Sequence, residues 1–254
     1  KLLHTLAPII ALVPALLTFA VVPFGGEYTV LGKKVSMVIS DLDVGLLFVF
    51  AIASLSTYGY VLAGWSSNNN WSLLGAMRTS AQMISYEVTL GLTVIGILMV
   101  YGTMKLTEIG AAQENFFHWG FFLQPLGFFM FLTASIAENK RIPFDNPEAE
   151  SEIVAGYFTE YSGLKFGMFF LGEYAHMITA SAFLSVLFMG GWHLPWIPWT
   201  QPDAVSWFAV VVKMLVLGGK VAFFIFVMMW IRWTLLRFRF DQVMQLAWKR
   251  LIPV

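Results

Sequence analysis

An acidic stretch, Glu138 to Glu160, lies between two apolar segments that are each long enough to cross a membrane. It reads ENKRIPFDNPEAESEIVAGYFTE and holds six of the 15 acidic residues of the chain. A seventh acid, Glu173, follows inside the next apolar segment. Ionisable groups near the membrane interior are costly and usually functional. Any fold of this chain must therefore pair these acids, hydrogen-bond them or keep them at the membrane surface.

The composition around this stretch is typical of a polytopic membrane protein. Of 254 residues, 58% are hydrophobic and only 12% are charged, whereas an ordinary soluble domain has about 25% charged residues. We therefore predict an all-α fold, a polytopic membrane helix bundle. The formal net charge is +0, and no basic patch indicates nucleic acid. The chain has no Cys to ligate an iron–sulfur cluster, and its four His lack the spacing of metal ligands.

Six apolar segments reach the length of about 20 residues that a transmembrane helix needs. The predicted helices cover residues 7–24, 41–64, 83–104, 116–137, 164–191 and 204–233 of a single membrane domain, 1–254. Residues 138–163 form the acidic loop. With this loop in the cytoplasm or the mitochondrial matrix, ten Lys and Arg lie on its side and three on the other. This distribution satisfies the positive-inside rule.

A helix start is predicted inside the acidic loop, where DNPE offers an N-cap, a proline at the first position and acids in the first turn. An amphipathic helix over residues 145–157 places Asp145, Glu148 and Glu152 near one face, with Glu150 pointing elsewhere. Dense like charges and partial burial raise carboxyl pKa values, so some of these acids can hold protons near neutral pH. The alternative is a solvated acidic loop, but its apolar residues favour partial packing.

Ionisable residues also occur inside three predicted spans. They are Glu87 in the third span, Glu173 and His176 one turn apart in the fifth, and Lys213 and Lys220 on one face of the last. Acids in such positions usually face the bundle interior and mark ion or proton pathways. The alternative is a neutral carboxyl in an interhelical hydrogen bond. The two lysines either pair with the acids or extend to the membrane interface.

Three long motifs make the chain resemble a known family. The first is the loop ENKRIPFDNPEAESEIVAGYFTEYSGLKF with the following FFLGEY. The others are AQMISYEVTLGL around Glu87 and LRFRFDQVMQLAWK from Leu236 to Lys249. All three resemble signatures of the quinone-chamber membrane subunit of respiratory complex I, and the resemblance covers the whole chain. The chain departs at Leu236 and Phe240, where Pro and Tyr are expected, without a change of charge.

The resemblance implies a subunit of a proton-pumping NADH:quinone oxidoreductase with no redox centre of its own. Quinone, either ubiquinone or menaquinone, is the implied substrate, while FMN and iron–sulfur clusters belong to partner subunits. The implied partners are the peripheral-arm quinone-site and terminal iron–sulfur subunits, adjacent small membrane subunits and the lipid bilayer. The implied location is a bacterial cell inner membrane, with the mitochondrial inner membrane as the alternative. The family has eight membrane helices, and we expect the second to the seventh here.

Roles for individual residues also follow from the resemblance. The implied proton-path acids are Glu87, Glu138, Glu160 and Glu173. The implied loop residues facing the quinone chamber are Arg141, Asp145, Glu148, Glu150 and Glu152. The implied basic residues near the quinone tunnel are Arg232 and Arg237. From their positions in the spans, the candidate charge partners are His176, Lys213 and Lys220.

Three other protein classes remain as alternatives. The homologous membrane subunit of an energy-converting hydrogenase lacks a quinone substrate, and the long form of the acidic loop argues against it. The photosynthetic relative of complex I uses ferredoxin, and a non-acidic residue is expected there in place of Glu173. A secondary transporter often carries inverted repeats, and none is visible in this sequence.

Overall fold

The computed structural model describes residues 2–30, 33–146, 150–201, 204 and 206–253. In these residues the fold is a helix bundle with one antiparallel β-hairpin, and the predicted all-α membrane architecture is confirmed. The strands are β1 (Gly25–Val30) and β2 (Lys33–Met37). The helices are α1 (Leu2–Phe19), α2 (Gly45–Ser66), α3 (Asn70–Tyr101), α4 (Leu106–Ala112), α5 (Gly120–Leu123), α6 (Pro125–Glu138), α7 (Glu150–Ile153), α8 (Gly163–Phe188), α9 (Trp207–Thr234) and α10 (Phe240–Leu246), the last followed by a π-helical turn (Ala247–Leu251).

Five helices in the described part of the chain are long and apolar enough to cross a membrane, namely α1, α2, α3, α8 and α9. Each overlaps one of the predicted spans. The longest is α3, with 32 residues. It begins well before the predicted third span because the side chain of Asn69 accepts a hydrogen bond from the backbone N–H of Trp71 at 3.0 Å. This N-cap lets the helix extend through residues that look like a polar loop in the sequence.

The fourth predicted span, residues 116–137, is not one continuous helix. A 3₁₀ turn (Phe116–His118) and the short α5 precede α6, which is an apolar helix of 14 residues. Pro125 occupies the start of α6 and has no backbone N–H to continue the hydrogen bonding of α5. The chain therefore breaks at Gln124, which lies between the two helices with non-helical backbone geometry.

Buried Gln113 satisfies backbone groups at the start of α5 and at the end of α8. Its Nε2 donates to the carbonyl oxygen of Val186 at 2.9 Å. Its Oε1 accepts from the backbone N–H of Gly120 at 3.2 Å and of Gly190 at 3.0 Å. Irregular backbone is tolerated at membrane depth only where protein groups or water satisfy it, and this one carboxamide links the break to the end of α8.

The acidic loop is less helical than predicted. The structure ends α7 at Ile153 and adds only a 3₁₀ turn (Gly156–Phe158) instead of continuing a helix to residue 157. Val154 and Gly156 have φ angles of 63° and 56°, and this left-handed conformation terminates a right-handed helix. A Cβ on Gly75 of α3 would lie 2.7 Å from the Cα of Gly156, so the loop backbone packs directly on α3.

Candidate functional site

The centre of the site is the carboxylate of Glu173 on α8, whose side chain is 1% exposed. Lys140 Nζ lies 3.2 Å from its Oε1, and Arg141 Nη2 lies 3.1 Å from its Oε2. The hydroxyl of Tyr157 donates to Oε1 at 2.9 Å. A buried carboxylate is tolerated only when it is paired and hydrogen-bonded, and Glu173 meets both conditions. We call these four residues the Glu173 cluster.

The backbone after α6 turns both cations of the cluster inward. Lys140 has a φ angle of 53°, in the left-handed region that costs a non-glycine residue about 1 kcal/mol or more. Its ammonium group donates to Tyr157 Oη at 3.1 Å and lies 3.3 Å from the centroid of the Tyr60 ring. The guanidinium of Arg141 lies 4.8 Å from the centroid of the Tyr174 ring. These aromatic contacts add cation–π attraction to the ion pairs.

A cavity of about 50 Å³ lies beside the cluster, between α1, α2, α3, α6 and α8. Most of its wall is apolar, and we call it the polar cavity after the polar side chains on its α6 and α8 side. Glu138 and His176 both line it. Three buried atoms of lining residues have no hydrogen-bond partner among the described residues: Ser135 Oγ, Asn139 Nδ2 and His176 Nε2. Each such atom left dry costs about 1–3 kcal/mol. Because one water needs roughly 10–15 Å³ on this scale, the volume suits about three or four waters bridging these groups.

Glu87 lies outside the residues that line this cavity and extends the series of acids beyond Glu138. It lies on α3 and accepts a hydrogen bond from the hydroxyl of Ser54 on α2. Its carboxylate is within electrostatic range of Glu138 at the end of α6. The structure therefore brings together three of the four predicted proton-path acids, as one chain of groups that runs from Glu173 past the cavity to Glu87.

An arginine-lined slot of about 70 Å³ lies on the opposite side of the cluster, between α6, α8 and α9. Arg141 and Arg232 lie in its wall together with Tyr174. Most of the remaining wall is apolar and is formed by Met177, Met228, Met229 and Ile136. Asn139 lines both the slot and the polar cavity. Arg141 therefore contacts two regions at once, the carboxylate of Glu173 and the slot.

Two of the predicted loop acids pair with cations from distant segments. Asp145 accepts from Arg237 at 2.7 Å. Burial raises the pKa of Asp145, and the charge of Arg237 opposes this rise. Glu152 lies 2.5 Å from Arg78 of α3. The loop is therefore fixed to α3 and to the C-terminal segment, and these two acids do not share one helical face as predicted.

The remaining loop acids are less constrained. Glu160 is exposed and accepts a hydrogen bond from Asn69 Nδ2 at 3.0 Å, outside the buried group formed by the other predicted proton-path acids. Glu148 lies outside the described residues. The backbone of Glu150 begins α7, but its side chain also lies outside the described part of the structure.

The two lysines of α9 do not pair with acids among the described residues. Lys213 donates to the carbonyl oxygen of Ala204 at 3.0 Å. Lys220 donates to the carbonyl oxygens of Met189 at 2.6 Å and His193 at 2.7 Å. The irregular backbone between α8 and α9 supplies these acceptors. Carbonyl oxygens therefore stabilise the two ammonium groups, in place of the predicted pairing with acids or extension to the interface.

Two groups of site residues do not stand out in the sequence. In the sequence, Lys140 counts only toward the distribution of positive charge across the membrane, and Tyr157 is only one of the apolar residues of the loop. In the structure, both side chains contact Glu173. Gln82 precedes the third predicted span as an ordinary polar residue, but its Nε2 donates to the carbonyl oxygens of Ala137 at 2.8 Å and Phe144 at 2.9 Å. The available signal is the Lys-Arg pair soon after Glu138, because adjacent cations at the end of an apolar helix require anions nearby.

The fold and the site together define a class, an α-helical polytopic membrane protein with an ionisable core. Comparison with known proteins identifies the family within this class. The family model described as NADH dehydrogenase matches residues 1–254. The chain is 46% identical to an NADH-quinone oxidoreductase H subunit of Geobacter metallireducens over 254 residues, which are 100% of this chain and 72% of that protein.

Two further relatives are also named as H subunits of NADH-quinone oxidoreductase. The protein from Protochlamydia amoebophila is 46% identical over 251 residues, 99% of this chain and 72% of the relative. The protein from Flavobacterium psychrophilum is 44% identical over 254 residues, 100% of this chain and 74% of the relative. The chain therefore belongs to the family of NADH-quinone oxidoreductase H subunits, and the resemblance drawn from the three motifs is confirmed. It is a membrane subunit of an NADH-quinone oxidoreductase.

Proposed function

We propose that this subunit forms much of the quinone-binding chamber of a proton-pumping NADH-quinone oxidoreductase and begins the path that links quinone reduction to proton translocation. The observation that carries the proposal is the position of the Glu173 cluster, between the arginine-lined slot and the polar cavity. The substrate is a quinone, ubiquinone or menaquinone. Its electrons come from FMN and iron–sulfur clusters that partner subunits hold.

Arg141 couples the two regions through competition for its positive charge. A quinone that gains two electrons needs two protons or compensating positive charge. Arg141 lies in the wall of the slot while its Nη2 is 3.1 Å from Glu173. Negative charge that develops on a quinone in the slot attracts this guanidinium and weakens its pairing with Glu173. Glu173 then loses part of its counter-charge, which favours uptake of a proton.

Protons then have a route deeper into the bundle. The polar cavity connects the region of Glu173 to Glu138, and Glu138 lies within electrostatic range of Glu87. Intramembrane acids in such a chain typically form proton relays. At the loop, Asp145 with Arg237 and Glu160 at the surface face the side on which we expect the peripheral-arm subunits to bind.

The proposal predicts that Glu173→Gln separates electron input from proton pumping. Glutamine keeps the size of the side chain but can neither hold a negative charge nor exchange a proton. We expect quinone-linked proton pumping in membrane vesicles to fall about tenfold or more, since positioned acids and bases contribute roughly 10²–10⁴-fold to proton-transfer steps. Oxidation of NADH by an artificial acceptor should not change, because the acceptor takes its electrons before the quinone site.

The matched control is Glu114→Gln, which makes the same change at an exposed acid near the opposite end of the bundle. This control should pump at the parental rate. A native gel of the solubilised membranes reports whether each variant complex has assembled. If Glu173→Gln pumps protons with quinone at the parental rate, the proton-path role of the Glu173 cluster is wrong.

A further inference from the structure

We infer that His176 is a proton-relay residue that joins the Glu173 cluster to Glu138 across the polar cavity. This inference rests on the proposed function and adds a residue to its path. His176 follows Glu173 by three residues on α8, and side chains at this spacing lie about 5–6 Å apart at their Cβ atoms on one helix face. Its ring lines the cavity, to which α6 contributes Glu138.

Buried polar atoms without hydrogen-bond partners among the described residues indicate where the proposed proton path follows the cavity. Ser135 is 1% exposed and Asn139 is 4% exposed, and Ser135 Oγ and Asn139 Nδ2 have no hydrogen-bond partner among the described residues. His176 Nε2 is buried and equally without a partner there. These side chains come from two segments of the bundle and meet at one volume that suits water. Buried polar groups of this kind bind ordered water, so a water chain between His176 and Glu138 accounts for all three atoms.

The charged groups near His176 come from α8 and from the end of α6 with the turn that follows it. Glu173 and Lys140 lie within electrostatic range of its ring, and Glu138 lines the same cavity from α6. The cavity residues contributed by α1, α2 and α3 are uncharged: Thr18, Leu46, Val49, Phe50, Ala53, Leu90 and Val94. Among the described residues, the ionisable side chains that line the cavity are therefore His176 and Glu138, and Glu173 and Lys140 lie within electrostatic range of His176.

An imidazole is chemically suited to this position. It accepts a proton on one ring nitrogen and releases another from the second nitrogen, so a proton passes through the ring without rotation of the side chain. In the proposed step, the Glu173 side delivers a proton through water to one nitrogen of His176. The other nitrogen releases its proton to the cavity water, which passes it to Glu138. No electron moves, and the ring returns to its starting charge.

The test replaces the ring in the assembled complex. His176→Leu fills the space but carries no proton, and we expect quinone-linked proton pumping to fall about tenfold, with NADH oxidation by an artificial acceptor unchanged. His118→Asn is the control, because His118 is exposed near the opposite end of the bundle, and it should pump at the parental rate. In His176→Ala, imidazole added to the medium should restore most of the pumping by occupying the vacated volume.

The outcomes separate the relay from the wider function. Loss of pumping in His176→Leu with recovery of His176→Ala by imidazole supports the relay. Parental pumping in His176→Leu, or a loss that imidazole does not restore, overturns it. If His176→Leu does not assemble, His176→Asn gives the same comparison, since an amide cannot titrate near neutral pH. Glu138→Gln, measured in parallel, distinguishes failure of the proposed function: if it too pumps normally, the proton path itself is wrong.

Discussion

At the scale of single residues, Arg141 is the group through which we propose that the site responds to its substrate. Its guanidinium is the only charged group that both pairs with Glu173 and lines the arginine-lined slot in the described residues. Lys140 holds the other oxygen of Glu173 but is 2% exposed and lies over the Tyr60 ring, away from the slot. The two cations therefore differ in position: Lys140 stabilises the buried charge of Glu173, and Arg141 is the one that we propose responds to charge in the slot.

Arg141→Ala should weaken quinone reduction. Removal of one partner of a buried ion pair costs about 3–5 kcal/mol, and the retained Lys140 reduces this loss. We expect kcat/KM for quinone to fall by roughly tenfold to a hundredfold, since each 1.4 kcal/mol corresponds to about a factor of ten. Steady-state kinetics with a soluble quinone measure this change.

Two substitutions sharpen this measurement. Arg141→Lys keeps the charge but loses the planar group that lies 4.8 Å from the Tyr174 ring, so an intermediate rate is expected. Arg239→Ala removes an exposed arginine that pairs with exposed Asp241 and should have no effect. A normal rate and a normal KM for quinone in Arg141→Ala would contradict its role.

The sequence predicts the acids of the site far better than their partners. Glu87, Glu138 and Glu173 stand out because charges are rare in apolar segments, and the structure brings them together. Their cations cannot be assigned from sequence, since the inward turn of Lys140 depends on a left-handed backbone conformation that no local pattern indicates. For the same reason the sequence leaves Lys220 as a candidate partner of acids, although carbonyl oxygens after α8 satisfy it instead.

At the scale of elements, the broken helix before α6 depends on one buried side chain. Gln113 provides a donor and an acceptor to backbone groups at the start of α5 and at the end of α8, and so holds the segment that contains the break against α8. Hydropathy predicts a single span over 116–137 because the break lies inside a Phe-rich, uniformly apolar sequence. The signal available in the sequence is the Gln-Pro pair at 124–125, since proline ends the helix that precedes it.

Gln113→Leu should destabilise the subunit without touching the proposed path. It leaves the backbone N–H of Gly120 and Gly190 and the carbonyl oxygen of Val186 without their partner. Each buried group so orphaned costs about 1–3 kcal/mol, so we expect a clear fall in the temperature at which the detergent-solubilised complex loses its band on a native gel. Pumping per assembled complex should be unchanged.

Two comparisons test this assignment of Gln113. Gln201→Leu makes the same change at an exposed glutamine and should leave the melting temperature unaltered. Gln113→Glu keeps the acceptors for Gly120 and Gly190 but loses the donors, so it should fall between the parent and Gln113→Leu. An unaltered melting temperature in Gln113→Leu would show that other groups, or water, satisfy the break.

At the scale of the whole molecule, much of the helical surface is apolar and exposed in the isolated subunit. In the most apolar 18-residue stretch of α9, only 22% of the residues are buried within the subunit. Its exposed residues include Leu215 at 70%, Trp230 at 62% and Trp233 at 85%. Apolar surface of this extent is stable only against lipid or other membrane helices. The described loop acids Asp145, Glu152 and Glu160 lie with Arg237 at one end of the bundle, and the ion pairs of Lys105 with Asp41 and Asp43 lie at the other. This subunit therefore has an apolar belt between two charged ends.

The predicted assembly follows from this division of the surface. We propose that the subunits that deliver electrons bind at the charged end formed by the acidic loop. Affinity purification of the tagged chain from mildly solubilised membranes should therefore recover iron–sulfur and FMN-binding chains together with small membrane subunits. A neighbouring nickel–iron hydrogenase subunit would instead indicate a hydrogenase complex. Recovery of the chain alone, monodisperse and active as a transporter, would contradict its proposed role in quinone reduction, because that role requires electrons from partner subunits.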